Sequence, residues 1–285
     1  MSRLCRIMAS CRRRGSGVRD ADCRADLCPQ RRVGSWHPRG RLVFGTSDLV
    51  RARWADRQFV EKCGMLSSQD KAVAVHALLL EEYGHHEWHP HRDAVSELVR
   101  TILSQNTSDV NSDRAFARLQ SRFATWEQLL LAGVEEIAEA IEPGGLARVK
   151  APRIKRVLEA IREEQGELSL DFLEEMEIRE ASAWLVSLEG VGPKTAACVL
   201  LFALGRPALP VDTHVLRLSR RLGLIGPRDS AEKAHTVLRD MLPDEAVYDF
   251  HVNAVTHGRE VCHAQRPQCD ACCLAPLCDY LHKPR

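Results

Sequence analysis

The 285-residue sequence has almost no net charge: 40 Lys and Arg against 39 Asp and Glu leave +1. Without a global positive field, any contact with a polyanion must come from a local patch or from aimed backbone amides. No apolar run approaches the roughly 18–20 residues of a membrane span. The n-, h- and c-region order of a secretory signal is also missing. Alternating apolar runs closed by hairpin dipeptides are absent, which argues against strands. The expectation is a soluble, intracellular, all-α protein with no membrane partner, in which clustered cysteines read as metal ligands before disulfides.

The near-neutral total hides an asymmetry. Residues 1–64 carry fifteen Lys/Arg, fourteen of them Arg, against six Asp/Glu; the remainder is net negative by eight. The first segment has no sustained periodicity, and its Arg/Gly/Pro-rich stretches read as disorder. Three readings compete for it: a basic DNA-tethering arm, a mitochondrial transit peptide, or an over-long translation start with Met65 as initiator. Asp20, Asp22 and Asp26 weigh against a transit peptide, which is acid-poor. The start-site reading is preferred, and no function is drawn from these residues.

From about Lys71 onward the pattern is helical. Ala72, Val73, Val75, Leu78 and Leu79 form one apolar stripe; Ala94, Val95, Leu98, Val99, Ile102 and Leu103 form a second. Further helices are expected at about 109–122, 125–131, 134–141, 146–165, 178–188, 193–204, 213–221, 230–241 and 246–257, about ten in all.

The most informative stretch is Gly190-Val191-Gly192-Pro193-Lys194-Thr195. An amphipathic helix bearing Ala181, Trp184, Leu185 and Leu188 runs into the glycines, and a second helix begins at once with Pro in its first turn. Two glycines permit a tight turn and close approach of backbone to a ligand. Unpaired amides at the second helix's start then form a phosphate-sized anion site. An ordinary αα-corner has the same outline. Seventeen residues beyond Lys194, however, stands Val211-Asp212-Thr213-His214, opening another helix. This combination resembles the helix–hairpin–helix–Gly/Pro–Asp superfamily of DNA glycosylases, and specifically its endonuclease III branch, over about 70–285.

The chemistry suits the resemblance. An amine nucleophile must be deprotonated, and a first-turn position favours the neutral form of Lys194, as partial burial would. A carboxylate can stabilise the cationic sugar that develops as a glycosidic bond breaks, and Asp212 is the candidate. The resemblance implies that Lys194 attacks C1′ of a damaged nucleotide, that Asp212 assists, and that the resulting Schiff base permits β-elimination of the 3′ phosphate.

Cys262, Cys269, Cys272 and Cys278 have the spacing C-x6-C-x2-C-x5-C. Four thiolates hold either Zn²⁺ or a [4Fe–4S] cluster, and spacing alone leaves both open. Preceded by His257-Gly258-Arg259, the spacing resembles the endonuclease III cluster loop, which implies [4Fe–4S]. Cys273 reads as spare and Cys198 as a small core residue. Arg259 and Arg266 are candidate phosphate contacts.

Leu103-Ser104-Gln105-Asn106-Thr107-Ser108-Asp109 resembles the family's Leu-Ser-x-Gln-x-Thr-Asp segment, whose polar side chain fills the gap left by a flipped base. Asn106 stands at the Gln position and Gln105 precedes it; either is a candidate plug. Ser108 or Asp109 is the expected N-cap. Glu189 replaces the proline usual before Gly-Val-Gly, placing a negative charge near the expected phosphate, and Pro193 replaces a common arginine. His85, His86, His89 and His91 form a patch read as an interdomain loop rather than a metal site.

The resulting expectation is two helical subdomains flanking a DNA-binding cleft. A six-helix barrel at 87–206 carries the hairpin, with Gly190, Val191, Gly192 and Thr195 at the DNA. An iron–sulfur cluster domain is built from 70–86 and 207–285. The partner is double-stranded DNA with a damaged base, foremost an oxidised pyrimidine, or an abasic site. The protein is expected to be a monomer, in the cytoplasm with a bacterial nucleoid, or nuclear or mitochondrial in a eukaryote. Two alternatives stay open: a monofunctional mismatch glycosylase, and a non-catalytic helix–hairpin–helix DNA-binding protein. A zinc-ribbon interaction protein is a third.

Overall fold

Helices follow the apolar stripes closely. The computed structural model describes residues 66–282; the expectations for residues 1–64 lie outside it. The α-helices are α1 (Ser68–Tyr83), α2 (Ala94–Ser104), α3 (Asp109–Arg122), α4 (Trp126–Leu131), α5 (Val134–Ala140), α6 (Ala147–Gln165), α7 (Ile178–Ser187), α8 (Pro193–Cys198), α9 (Thr213–Leu222), α10 (Ala231–Met241), α11 (Val247–Glu260) and α12 (Asp279–His282). No strand occurs among the described residues, and no helix there is long and apolar enough to cross a membrane.

Capping side chains fix where these helices start. Asp93 accepts from the Ser96 amide at 2.8 Å, and Ser108, rather than Asp109, caps α3 by accepting from Asn111. The helix expected at 193–204 is not uniform: α8 gives way to a π-helical turn at Val199–Ala203. That wider turn changes the phase of the side chains. Val199 and Leu200 pack into one apolar core while Leu201 enters another.

Two cores organise the described residues. The first gathers α2 to α8 around Leu98, Ile102, Leu119, Ile154 and Leu158, all fully buried. The second gathers α1, α9, α10, α11 and the cysteine loop around Leu79, Val215, Leu238 and Phe250. Each buried Leu or Ile side chain contributes about 1.5–3 kcal/mol of transfer free energy.

The histidine patch joins the two. His85 Nδ1 lies 2.6 Å from Asp249 Oδ2, the His86 amide donates to Asp249 Oδ1, and His86 Nε2 meets Asn253 Oδ1 at 2.7 Å. His91 stacks on Phe202 with ring centroids 4.8 Å apart. These side chains dock the segment between α1 and α2 on α11 and the π turn. Crossing back, the chain leaves the π turn and reaches α9 at Asp212.

Candidate active site and cysteine cavity

The hairpin between α7 and α8 is set by sterics. Gly190 has φ 80, and a Cβ there would overlap the Arg153 side chain, so both its backbone angle and its surroundings require glycine. The Val191 amide donates to the Leu188 carbonyl at 3.0 Å, and its side chain is buried in the first core. Val191, expected at the DNA, is thus buried, with its amide committed inside the hairpin. Gly192 caps α8 with Pro193 in its first turn, leaving first-turn amides without intrahelical acceptors. Thr195, expected at the DNA, is 3% exposed, and its Oγ1 accepts from Gln105. Its side chain braces the hairpin from within.

Lys194 is exposed on that first turn and has no hydrogen bond or ion pair among the described residues. The partial burial considered for it is not what the structure shows. Asp212 is half-buried as the N-cap of α9; its Oδ1 accepts from the amides of His214 at 2.9 Å and Val215 at 2.8 Å. Its other oxygen, Oδ2, carries no hydrogen bond among the described residues.

Lys194 and Asp212 both act electrostatically on two buried groups, Cys198 and His251. Burial pushes the Cys198 thiol up to about 11, with Lys194 opposing the shift and Glu97 and Asp212 adding to it. Burial pushes His251 down to about 4, opposed by Asp212 and by its bond to Pro210, and aided by Lys194 and His235. His251 Nδ1 donates to the Pro210 carbonyl at 2.9 Å, and His235 Nδ1 to the Leu209 carbonyl at 2.9 Å. Two imidazoles thus hold consecutive carbonyls of the segment that delivers Asp212. Sequence reasoning missed both. The only signal was a histidine at position 251 on the same helix face as Val247, Phe250 and Ala254.

The structure separates Gln105 from Asn106. Gln105 is latched: Oε1 accepts from Arg153 Nη1 at 2.7 Å, and Nε2 donates to the Gly190 carbonyl and Thr195 Oγ1, each at 3.3 Å. Asn106 is exposed, with φ 54, a left-handed conformation that Asn tolerates better than most residues. Leu146, also missed, is 54% exposed with φ 52 where α6 begins. Glu189 is neutralised by Arg156, whose Nε lies 2.7 Å from its carboxylate. Arg259 pairs with Asp109 at 2.8 Å, both side chains half-exposed, whereas Arg266 is exposed at φ 50.

Four cysteines meet in one place. Cys262, Cys269, Cys272 and Cys278 line a single small cavity beside Leu218 and Leu274, and Cys273 does not. Cys273 packs in the second core beyond it, and burial raises its thiol to about 12. Burial likewise raises Cys272 to about 12, with the neighbouring Cys262, Cys278 and Cys269 adding to the shift. Arg221 Nη1 donates to Cys262 Sγ at 3.1 Å. The buried His257 places Nε2 3.3 Å from Cys272 Sγ and Nδ1 2.9 Å from Tyr83 Oη. Among the described residues, no three His, Cys, Asp or Glu side chains are gathered so as to hold a single metal ion.

Comparison with known proteins identifies the family. Residues 99–244 match the family of HhH-GPD superfamily base excision DNA repair proteins. The chain is 40% identical over 162 residues to a candidate DNA glycosylase of Arabidopsis thaliana, a match covering 57% of this chain and 55% of that one. The aligned region thus spans just over half the length of that plant relative. Endonuclease III of Thermotoga maritima is 34% identical over 195 residues, covering 68% of this chain and 87% of that one. A solved structure of a non-covalent endonuclease III–DNA complex superposes with TM-score 0.65 at 31% identity, covering 77% of this chain and 98% of that chain. The protein is therefore a base excision repair DNA glycosylase of the HhH-GPD superfamily, close to endonuclease III.

Proposed function

We propose that the chain removes a damaged base, foremost an oxidised pyrimidine, from duplex DNA and then cleaves the strand through a Schiff base on Lys194. The observation that carries this reading is the Lys194 side chain: exposed on the first turn after the glycine hairpin and unpartnered among the described residues, while Asp212 commits only Oδ1 to capping α9. The Lys194 amine attacks C1′; the C1′–N bond breaks and the base leaves with the electron pair, taking up a proton. Asp212 Oδ2 faces the positive charge that develops on the sugar, while Oδ1 stays committed to the α9 amides. The amine nitrogen's second bond to C1′ forms as the ring oxygen leaves, and loss of a 2′ proton expels the 3′ phosphate. A structural neighbour solved as a trapped endonuclease III–DNA covalent intermediate supports the covalent route.

Base extrusion needs side chains that enter the duplex. Asn106 is the polar candidate for the vacated gap, and Leu146 is an apolar candidate for wedging between base steps. The Gly190–Gly192 hairpin would present first-turn amides to a phosphate, with Arg259 released from Asp109 and Arg266 as further contacts.

Cys262, Cys269, Cys272 and Cys278 would hold a [4Fe–4S] cluster. The four thiols line one cavity, and their spacing resembles the endonuclease III cluster loop, which favours this group over Zn²⁺. When bound, such a cluster supplies a four-point tether for the loop that carries Arg266. Arg221, donating to Cys262 Sγ, and His257, with Nε2 3.3 Å from Cys272 Sγ, would stabilise the thiolates.

Single-turnover cleavage of a duplex with one oxidised pyrimidine tests the reading. Strand scission without added alkali is the expected outcome. A base-free but uncut strand, nicked only on alkali treatment, would assign a monofunctional glycosylase instead.

A further inference from the structure

Lys150 is a buried lysine, 2% exposed, that neither the proposed chemistry nor the cysteine cavity uses. Its Nζ donates to the carbonyls of Leu103 at 2.6 Å and Gly144 at 2.9 Å. Among the described residues no anion pairs with it, and burial, with Arg153 adding, lowers its pKa. Burying an amine to hold two carbonyls is a poor way to stabilise a core, which an apolar side chain of similar length fills at lower cost. What the arrangement does provide is a fixed distance between two chain segments.

Those segments matter. Leu103 is the last buried residue before Ser104-Gln105-Asn106, and Gly144 precedes Gly145-Leu146. Gly144 is itself pinned: a Cβ there would lie 2.9 Å from Ala115 Cβ on α3. Only three described non-glycine residues have a left-handed backbone, and two of them, Asn106 and Leu146, end these two segments. Left-handed backbone is costly for leucine and persists where its surroundings impose it. One turn further along α6, Arg153 holds Gln105, which in turn bonds Gly190 and Thr195 of the hairpin. The first two turns of α6 thus tie together the hairpin, the Asn106 segment and the Leu146 turn.

We propose that Lys150 is a positioning residue for base extrusion: by clamping the Leu103 and Gly144 carbonyls it sets the spacing at which Asn106 and Leu146 enter the duplex as a pair. The proposal rests on the reading of those two residues as intercalating probes, but not on Lys194 chemistry. Buried and committed to two carbonyls, Lys150 is a positioning group rather than a proposed contact to DNA or to the reacting atoms.

The test uses the full chain and a duplex with a non-cleavable tetrahydrofuran abasic analogue opposite 2-aminopurine, so that catalysis plays no part. Wild type is expected to bind and unstack the 2-aminopurine, raising its fluorescence. Lys150→Met is expected to bind with similar affinity by anisotropy but to unstack about tenfold more slowly or worse, as a displacement of about 1 Å can cost that much. Lys150→Leu, which also removes the donor, takes its place if the Met variant does not fold. In a background of Asn106→Ala with Leu146→Ala, the Lys150 substitution is expected to have no further effect. Unstacking at the wild-type rate, parallel loss of binding and unstacking, an additive effect in the double-alanine background, or no unstacking by wild type would each overturn the proposal. Failure of Lys194 to form a covalent adduct would leave it standing.

Discussion

Gly190 and Arg153 are fitted to one another: the hairpin glycine lies where any side chain would overlap the arginine that holds Gln105. Gly190→Ala therefore faces two costs. The left-handed backbone alone costs roughly 1–2 kcal/mol, and Arg153 must swing away, releasing Gln105. The expected outcome is a modest drop in melting temperature and a loss of affinity for abasic-analogue duplex of about tenfold, equivalent to ~1.4 kcal/mol. Titration by fluorescence anisotropy alongside thermal melting checks it.

Asp212 combines a structural and a proposed chemical role, and substitutions separate them. Asn keeps an oxygen that can cap α9, so Asp212→Asn is expected to change stability by less than about 0.5 kcal/mol. Its glycosylase rate should nonetheless fall by about a hundredfold, because the charge facing the sugar is gone. Asp212→Ala loses the cap as well, at about 1 kcal/mol. Denaturation curves and single-turnover rates on the three proteins decide whether charge or capping matters to catalysis.

The cysteine cavity makes a sharp distinction among adjacent residues. Cys273→Ser is expected to retain the iron and sulfide content and the visible absorption of the wild type, because that thiol does not line the cavity. Cys262→Ser, Cys269→Ser, Cys272→Ser and Cys278→Ser should each lose most of both. Zinc in place of iron in the purified wild type would contradict the assignment.

His251 gives the protein a pH dependence whose sign follows from its burial. Burial holds the folded-state imidazole down to about 4, while the unfolded chain keeps the ordinary value of 6.5. Below 6.5 the unfolded state binds the extra proton first, so stability present at neutral pH is lost as pH falls from 6.5 toward 4. At pH 5 this one group should account for about 2 kcal/mol of the loss. Urea denaturation at pH 7 and pH 5 checks this: the difference should shrink by about that amount in His251→Gln, and an unchanged difference would refute it.

Much of the site was legible because its residues lie in contiguous motifs. The hairpin glycines, Lys194, Asp212 and the four spaced cysteines are identified by type and interval; the structure puts Lys194 on the first turn of α8, Asp212 at the N-cap of α9 and the four cysteines around one cavity. Other relationships are invisible to spacing. Lys150 bonds two backbone carbonyls, one of them 47 residues away, and carbonyls carry no residue identity. Gln105 and Asn106 are equivalent candidates until backbone angle and the Arg153 bond distinguish them. Glu189 looks repulsive toward phosphate until Arg156, on another helix, is found to pair with it. The π turn after Cys198 follows from the demands of two cores at once, which a single helical stripe does not record.

Borohydride trapping tests the central claim most directly. Duplexes with an oxidised pyrimidine, an abasic site or no lesion are incubated with wild type and with Lys194→Ala, then reduced. The expected result is a covalent protein–DNA adduct with both lesion duplexes, absent on intact DNA and absent in the variant. An adduct that persists in Lys194→Ala, or no adduct from wild type that still binds the lesion duplex with its iron in place, would contradict the account.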